Sequence, residues 1–194
     1  INRNTLLIAA VAGPVYLMSE ITLGAMDIAW FIGKQEWEFR TNAIYITLSV
    51  MMVISFSLFA RGFIALSILF ENTLLKVIAY VLIVATIGMG VLDVSSLAVR
   101  DVLSLWIPYA AGTLLLGGLS IVFGIALIRL QDSMGEVSRI AGILEIVMGC
   151  LLATVVLFFV TYMIMVPAVA LEIVVLYRGY EYVSRYESGQ TNAI

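Results

Sequence analysis

Residues 140–177 read IAGILEIVMGCLLATVVLFFVTYMIMVPAVALEIVVLY, an apolar run broken only by Glu145 and Glu172. As one helix this run would extend about 57 Å at 1.5 Å per residue, nearly twice a hydrocarbon core of about 30 Å. As two helices it needs a turn near residues 160–163, where the sequence Val-Thr-Tyr-Met offers neither glycine nor proline. Local turn chemistry therefore favours one long helix, and the distribution of basic residues favours two.

Outside this run, four apolar blocks stand out, at residues 6–32, 43–70, 74–99 and 102–128. Splitting the last run gives six crossings. Arg3, Arg61, Lys76, Arg129, Arg139, Arg178 and Arg185 then fall on one side, and Lys34, Arg40 and Arg100 on the other. Seven against three is the imbalance expected of a cytoplasmic face; five crossings would give an even split and no orientation. Trp30, Trp37 and Trp106 gather on the opposite face, and Tyr177, Tyr180, Tyr182 and Tyr186 supply the cytoplasmic belt. The expected fold is thus all-α, a polytopic membrane protein with six spans near 6–28, 43–66, 74–98, 106–128, 139–160 and 163–180. Both termini are cytoplasmic in this reading. The alternative is five spans with a long kinked last helix. Residues 1–186 form a single transmembrane domain, followed by a polar tail at 187–194. The apolar stretch after Arg3 reads as a retained span rather than a signal peptide, because it continues past Glu20 with no Ala-x-Ala site.

Composition sets the same limits. The chain has 194 residues, of which 63% are hydrophobic and 12% charged, with a formal net charge of −3. Mean hydropathy is +1.12. Soluble domains carry about twice that share of charge. No basic excess points to nucleic acid. Histidine is absent and Cys150 is the single cysteine. Imidazole haem ligation, histidine zinc sites, Ser-His-Asp triads and iron–sulfur clusters are excluded. No phosphate-binding glycine loop, nucleophile elbow or acidic metal motif occurs. Glu20 and Asp27 are about 10.5 Å apart along a helix, too far to share a metal. No catalytic, cofactor or metal residues are assigned. Cys150 reads as a small buried hydrophobe.

Boundaries have recognisable chemistry. Asn72-Thr73 can cap the third helix, and Pro108 suits the start of the fourth. Residues 131–135, Gln-Asp-Ser-Met-Gly, read as a polar loop. Pro14 and Pro167 fall inside spans, as kinks or breaks that neighbouring helices tolerate.

Small residues recur at helical spacing. Gly117, Ser120 and Gly124 share one face, as do Ala9 and Gly13. Such stripes are where membrane helices approach each other. Acids share them: Gly13, Glu20, Gly24 and Asp27; Gly90, Asp93 and Ser96; Gly142, Glu145 and Gly149; Ala168 and Glu172. A carboxylate on such a face points at protein or water, as it must, since a charged Asp at a helix centre costs roughly 2.5–3.5 kcal/mol. The six-span arrangement sorts the acids into an outer layer (Glu20, Asp27, Asp93, near Asp101) and an inner one (Glu145, Glu172). The tetrapeptide Leu-Glu-Ile-Val occurs at 144–147 and again at 171–174. Arg139 precedes Glu145 and Arg178 follows Glu172 by the same interval, about 9 Å along each axis. Pairing with these arginines, or with Arg61, would neutralise the inner layer.

Two functions follow. The first is a non-catalytic structural or accessory subunit, self-assembling or bound to other membrane chains, in contact with lipid and without cofactor. The second is a small proton- or cation-coupled transporter or channel that uses Glu20, Asp93, Glu145 and Glu172, with Arg61 within reach. A lipid-directed enzyme is the poorest fit.

Overall fold

In the computed structural model the description covers residues 3–33, 39–97, 102–154 and 158–191. Every regular element among them is helical: α1 (Arg3–Gly33), α2 (Phe39–Leu69), α3 (Thr73–Ser96), α4 (Val102–Ile128), a short α5 (Gln131–Met134), α6 (Glu136–Ala153) and α7 (Phe158–Thr191). Within membranes, helices satisfy their own backbone groups, which is why so apolar a chain takes this form. Parts of α1, α2, α3, α4 and α7 are long and apolar enough to cross a membrane. The sixth long helix, α6, has 18 residues and carries Glu136, Arg139 and Glu145, which sets it apart from those five.

The apolar run of 140–177 is divided. Thr154 closes α6 and α7 begins at Phe158, so the interruption falls ahead of the expected 160–163, which lies inside α7. The Thr154 hydroxyl donates to the Leu151 carbonyl at 2.7 Å, so a side chain takes up an end carbonyl where no glycine stands.

Around the bundle the neighbours run α1, α2, α3, α4, α6, α7 and back to α1. The six long helices therefore close a ring. At one end, here the turn end, lie the α2–α3 and α4–α6 connections. Asn72 caps α3 by accepting from the Leu75 N–H at 3.0 Å, as the sequence suggested, and its amide also donates to the Ala126 carbonyl of α4 at 3.1 Å. Before it, Glu71 holds φ of 51°, and the Asn72 N–H reaches back to the Ser67 carbonyl at 2.9 Å. That is a helix ending in left-handed backbone with the usual glycine replaced. The expected loop at 131–135 is instead the helical turn α5, terminated by Gly135 at φ 75°. Helices α1 and α7 continue through Pro14 and Pro167. Pro108 lies within α4, which starts earlier than expected.

Outward faces are oily: Val11, Met18, Val84, Ile107 and Met163 are among the most exposed side chains. In water such a surface would be an aggregation liability, and in lipid it is the required one. Cys150 is also exposed, which corrects its reading as a buried hydrophobe.

Candidate cation site

The closest helix pair, α4 and α6, meets through the two glycine stripes. A methyl group placed on Gly124 would lie 2.5 Å from the Gly142 carbonyl oxygen, and one on Gly117 would lie 2.7 Å from that of Gly149. The backbones are in contact, as small residues in membrane helices permit. Between these contacts the Ser120 hydroxyl donates to Glu145 Oε2 at 2.5 Å. Glu145 is 4% exposed.

Helix α7 brings Glu172 beside Glu145, the two carboxyls close enough to interact directly. The Glu172 side chain is 3% exposed, and its Oε1 is fully buried with no hydrogen-bond partner. The sequence symmetry of the two Leu-Glu-Ile-Val segments does place the acids together. The arginines do not follow them. Arg178 donates to the Met134 carbonyl at 3.0 Å, at the α5 turn. Arg61 and Arg139 are exposed and line no part of the acidic site. Arginine neutralisation of the inner acids is thereby corrected.

The outer acids are held by tyrosines. Tyr45 of α2 donates to Asp27 Oδ1 at 3.0 Å, and Tyr109 of α4 donates to Asp93 Oδ1 at 2.9 Å. Glu20 lies near enough to both aspartates to feel their charge. Asp27 is exposed, Glu20 and Asp93 are half-buried, and the glutamate pair is enclosed. Asp101, Lys34, Arg100 and Trp37 lie outside the described residues, as does the side chain of Trp30.

The two groups of acids share one space. Glu20, Asp27, Asp93, Glu145 and Glu172 all line one internal cavity of about 280 Å³, to which each of the six long helices contributes. Among the described residues no lysine or arginine lines it. The α1–α7 register fixes its extent. Gly13 packs on Ile173 and Gly24 packs on the ring of Tyr162. On that register Glu20 lies about 9 Å, and Asp27 about 20 Å, from the depth of Glu172. Thr161, 6% exposed, adds a second buried oxygen without a hydrogen-bond partner to the cavity wall.

The turn end is shut. Gly62 of α2 abuts Leu176 of α7, and Gly179 of α7 abuts Leu66 of α2, so two helices otherwise apart touch across the ring. Below them Leu6, Leu66, Leu75, Leu127 and Leu176 pack with no exposure. At the opposite end Asp27 stands exposed.

Glu20, Asp93, Glu145 and Glu172, singled out in the sequence, all line this cavity. The sequence did not mark Tyr45, Tyr109 or Thr161, which carry no spacing signal of their own. Comparison with protein-family models, with curated proteins and with solved structures gives no match.

Proposed function

We propose that this chain is a small membrane carrier or channel for a monovalent cation, with Glu145 and Glu172 as its binding pair and Asp27, Asp93 and Glu20 as the approach. One observation carries this reading: among the described residues, five carboxyls and no lysine or arginine line one cavity, and a buried oxygen of Glu172 has no hydrogen-bond partner. Buried acids without counter-charge are costly unless something else supplies the positive charge, a proton or a bound cation. Intramembrane acids in such a place characteristically mark ion pathways. A purely structural or accessory subunit gains nothing from an uncompensated acidic cavity.

In this proposal α6 is the sixth crossing. Its glycine seam with α4 and its place in the ring support that count, and 18 residues rise about 27 Å, close to the core thickness. Both termini then share one side, cytoplasmic by the distribution of lysine and arginine. Cysteines placed one at a time at Ser133 and Thr154, in a Cys150→Ser background, should label from opposite sides of a sealed vesicle.

The functional test is reconstitution of the purified chain in liposomes loaded with a pH-sensitive dye, under imposed proton, sodium and potassium gradients. Flux is expected, and Glu172→Gln should abolish it. If the isolated chain moves no cation and co-purifies in fixed ratio with other membrane chains, the accessory-subunit reading replaces this one.

A further inference from the structure

The wall that faces the glutamate pair is aromatic. Tyr16 of α1, Phe56, Phe59 and Phe63 of α2, and Phe123 of α4 all line the cavity. They form a continuous chain of rings. Tyr16 meets Phe56 edge-on with centroids 5.0 Å apart, and stacks on Phe59 at 6.2 Å. Phe59 meets Phe63 at 5.3 Å and 88°, and Phe63 meets Phe123 at 5.1 Å and 89°. Their depth matches that of the acids. A methyl group on Gly13 would touch both Phe59, at 2.9 Å, and Ile173, the neighbour of Glu172, at 2.7 Å. Tyr16 lies within electrostatic reach of Glu20, Glu145 and Glu172 together.

This lining discriminates between cations. Hard metal ions such as calcium and magnesium require a shell of oxygen ligands at short range. Among the described residues no cluster of three or more ligating side chains exists, and Ser120 already occupies one oxygen of Glu145. Aromatic faces attract cations whose charge is spread over carbon-bearing substituents, and methylated ammonium groups are the usual guests of aromatic cages. Met52, Met148 and Met165 add flexible, polarisable thioethers to the cavity lining, which can adapt to alkyl groups.

Resting on the carrier reading above, we infer that the ligand class is a small organic ammonium ion. Its positive centre sits between Glu172 and the Phe59–Phe63 rings, and its alkyl groups lie against the rings and thioethers. The whole cavity, from Asp27 to the glutamate pair, is about 280 Å³, the liquid volume of roughly nine waters, so the guest is small. Entry passes Asp27 and Asp93, and the neutral Thr161 hydroxyl offers a hydrogen bond to a guest that carries an N–H or O–H.

The test uses the purified full chain in lipid nanodiscs, with equilibrium binding of radiolabelled tetraethylammonium. Saturable binding is expected, competed by tetramethylammonium more effectively than by sodium or potassium. Phe59→Leu, which keeps apolar bulk but removes the ring, should weaken binding at least tenfold, and Phe59→Tyr should retain it. Glu172→Gln should abolish it. Thermal melting of each variant separates a lost site from a lost fold; Phe63→Leu serves as the second ring variant if Phe59→Leu does not fold. If liposomes show proton or alkali-cation flux dependent on Glu172 while tetraethylammonium neither binds nor competes, the ligand class is wrong and the carrier reading stands. If no cation of either kind binds or moves, both fall. Binding insensitive to both ring substitutions would overturn the aromatic assignment alone.

Discussion

Ser120 and Glu145 are bonded at 2.5 Å across the α4–α6 seam, between glycine pairs Gly117–Gly149 and Gly124–Gly142 that bring the backbones into contact. The arrangement couples a packing device to a chemical one. Close approach of the backbones is what allows so short a side chain as serine to reach the carboxyl. The glutamate, held on one oxygen, turns the rest of its carboxyl toward Glu172.

Separating the seam should therefore damage both. Gly124→Ala and Gly142→Ala each force a methyl group to about carbonyl-overlap distance and should destabilise the purified protein by about 1–3 kcal/mol, the usual cost of overpacking. Ser120→Ala leaves the seam intact but strips a buried carboxylate of its donor, at a cost of about 1–3 kcal/mol. Thermal melting in a mild detergent, read by a thiol-independent probe, checks all three. The glycine variants and the serine variant should differ in cation binding: Ser120→Ala keeps the cavity's shape, whereas the glycine variants do not.

Two backbone positions with positive φ should respond in opposite directions. Glu71 occupies left-handed backbone at φ 51°, a conformation that costs an L residue with a Cβ roughly 1–2 kcal/mol. Glu71→Gly should raise stability by about 1 kcal/mol or somewhat less, since glycine's greater freedom in the unfolded chain offsets part of the gain. Gly135, at φ 75°, is the reverse case: a Cβ there would be strained and would stand 3.5 Å from Arg178 Nη1, the group that donates to the Met134 carbonyl. Its ψ of −166° puts it in a region essentially reserved for glycine, and Gly135→Ala should lower stability by roughly 1–3 kcal/mol. Urea or thermal denaturation of the pair in one detergent gives the sign of each without ambiguity.

Closure by Gly62 and Gly179 at one end, and exposure of Asp27 at the other, imply that the cavity communicates with one side. In a Cys150→Ser background, Asp27→Cys and Glu20→Cys should react with a small membrane-impermeant thiol reagent added to the side opposite the α2–α3 turn, and with none added to the turn side. Asp27→Cys should react the faster of the two. Reaction from both sides would mean a continuous pore.

Much of this was readable from residue order. Helical spacing placed Gly117, Ser120 and Gly124 on one face and Gly142, Glu145 and Gly149 on another, because the helix period alone fixes which residues share a face. What a period does not contain is the partner. That the two stripes meet each other, and that α7, α1, α2 and α3 complete the ring, depends on tertiary packing of many near-equivalent apolar surfaces. The end of α6 was misplaced because Thr154 closes it with its own hydroxyl, leaving no glycine or proline as a mark. Arg178 was expected to seek Glu172, yet the turn at Gly135 leaves the Met134 carbonyl open to it. A main-chain acceptor created by a turn is invisible until the turn is known. The tyrosines on Asp27 and Asp93 were missed for a related reason: Tyr45 and Tyr109 lie on other helices, and nothing in their own spacing distinguishes them from interfacial aromatics.

Thr161 separates a structural role from a binding one. The residue lines the cavity and its hydroxyl is buried without a hydrogen-bond partner, next in sequence to Tyr162, whose ring packs on Gly24. If the wall existed only to pack helices, an unpaired hydroxyl there would be a pure loss, and Thr161→Val, equal in shape, would raise stability by up to about 1–3 kcal/mol. That gain is expected in ligand-free protein, as a higher melting temperature of the valine variant. In the presence of a saturating hydrogen-bonding ammonium, such as ethanolammonium, the order should narrow or invert, because threonine then gains a bond that valine lacks. Tetraethylammonium has no N–H or O–H to offer, so it should stabilise both variants equally. A difference confined to the hydrogen-bonding ligand would place the Thr161 hydroxyl in the site, whereas equal stabilisation by both ligands would confine it to the wall.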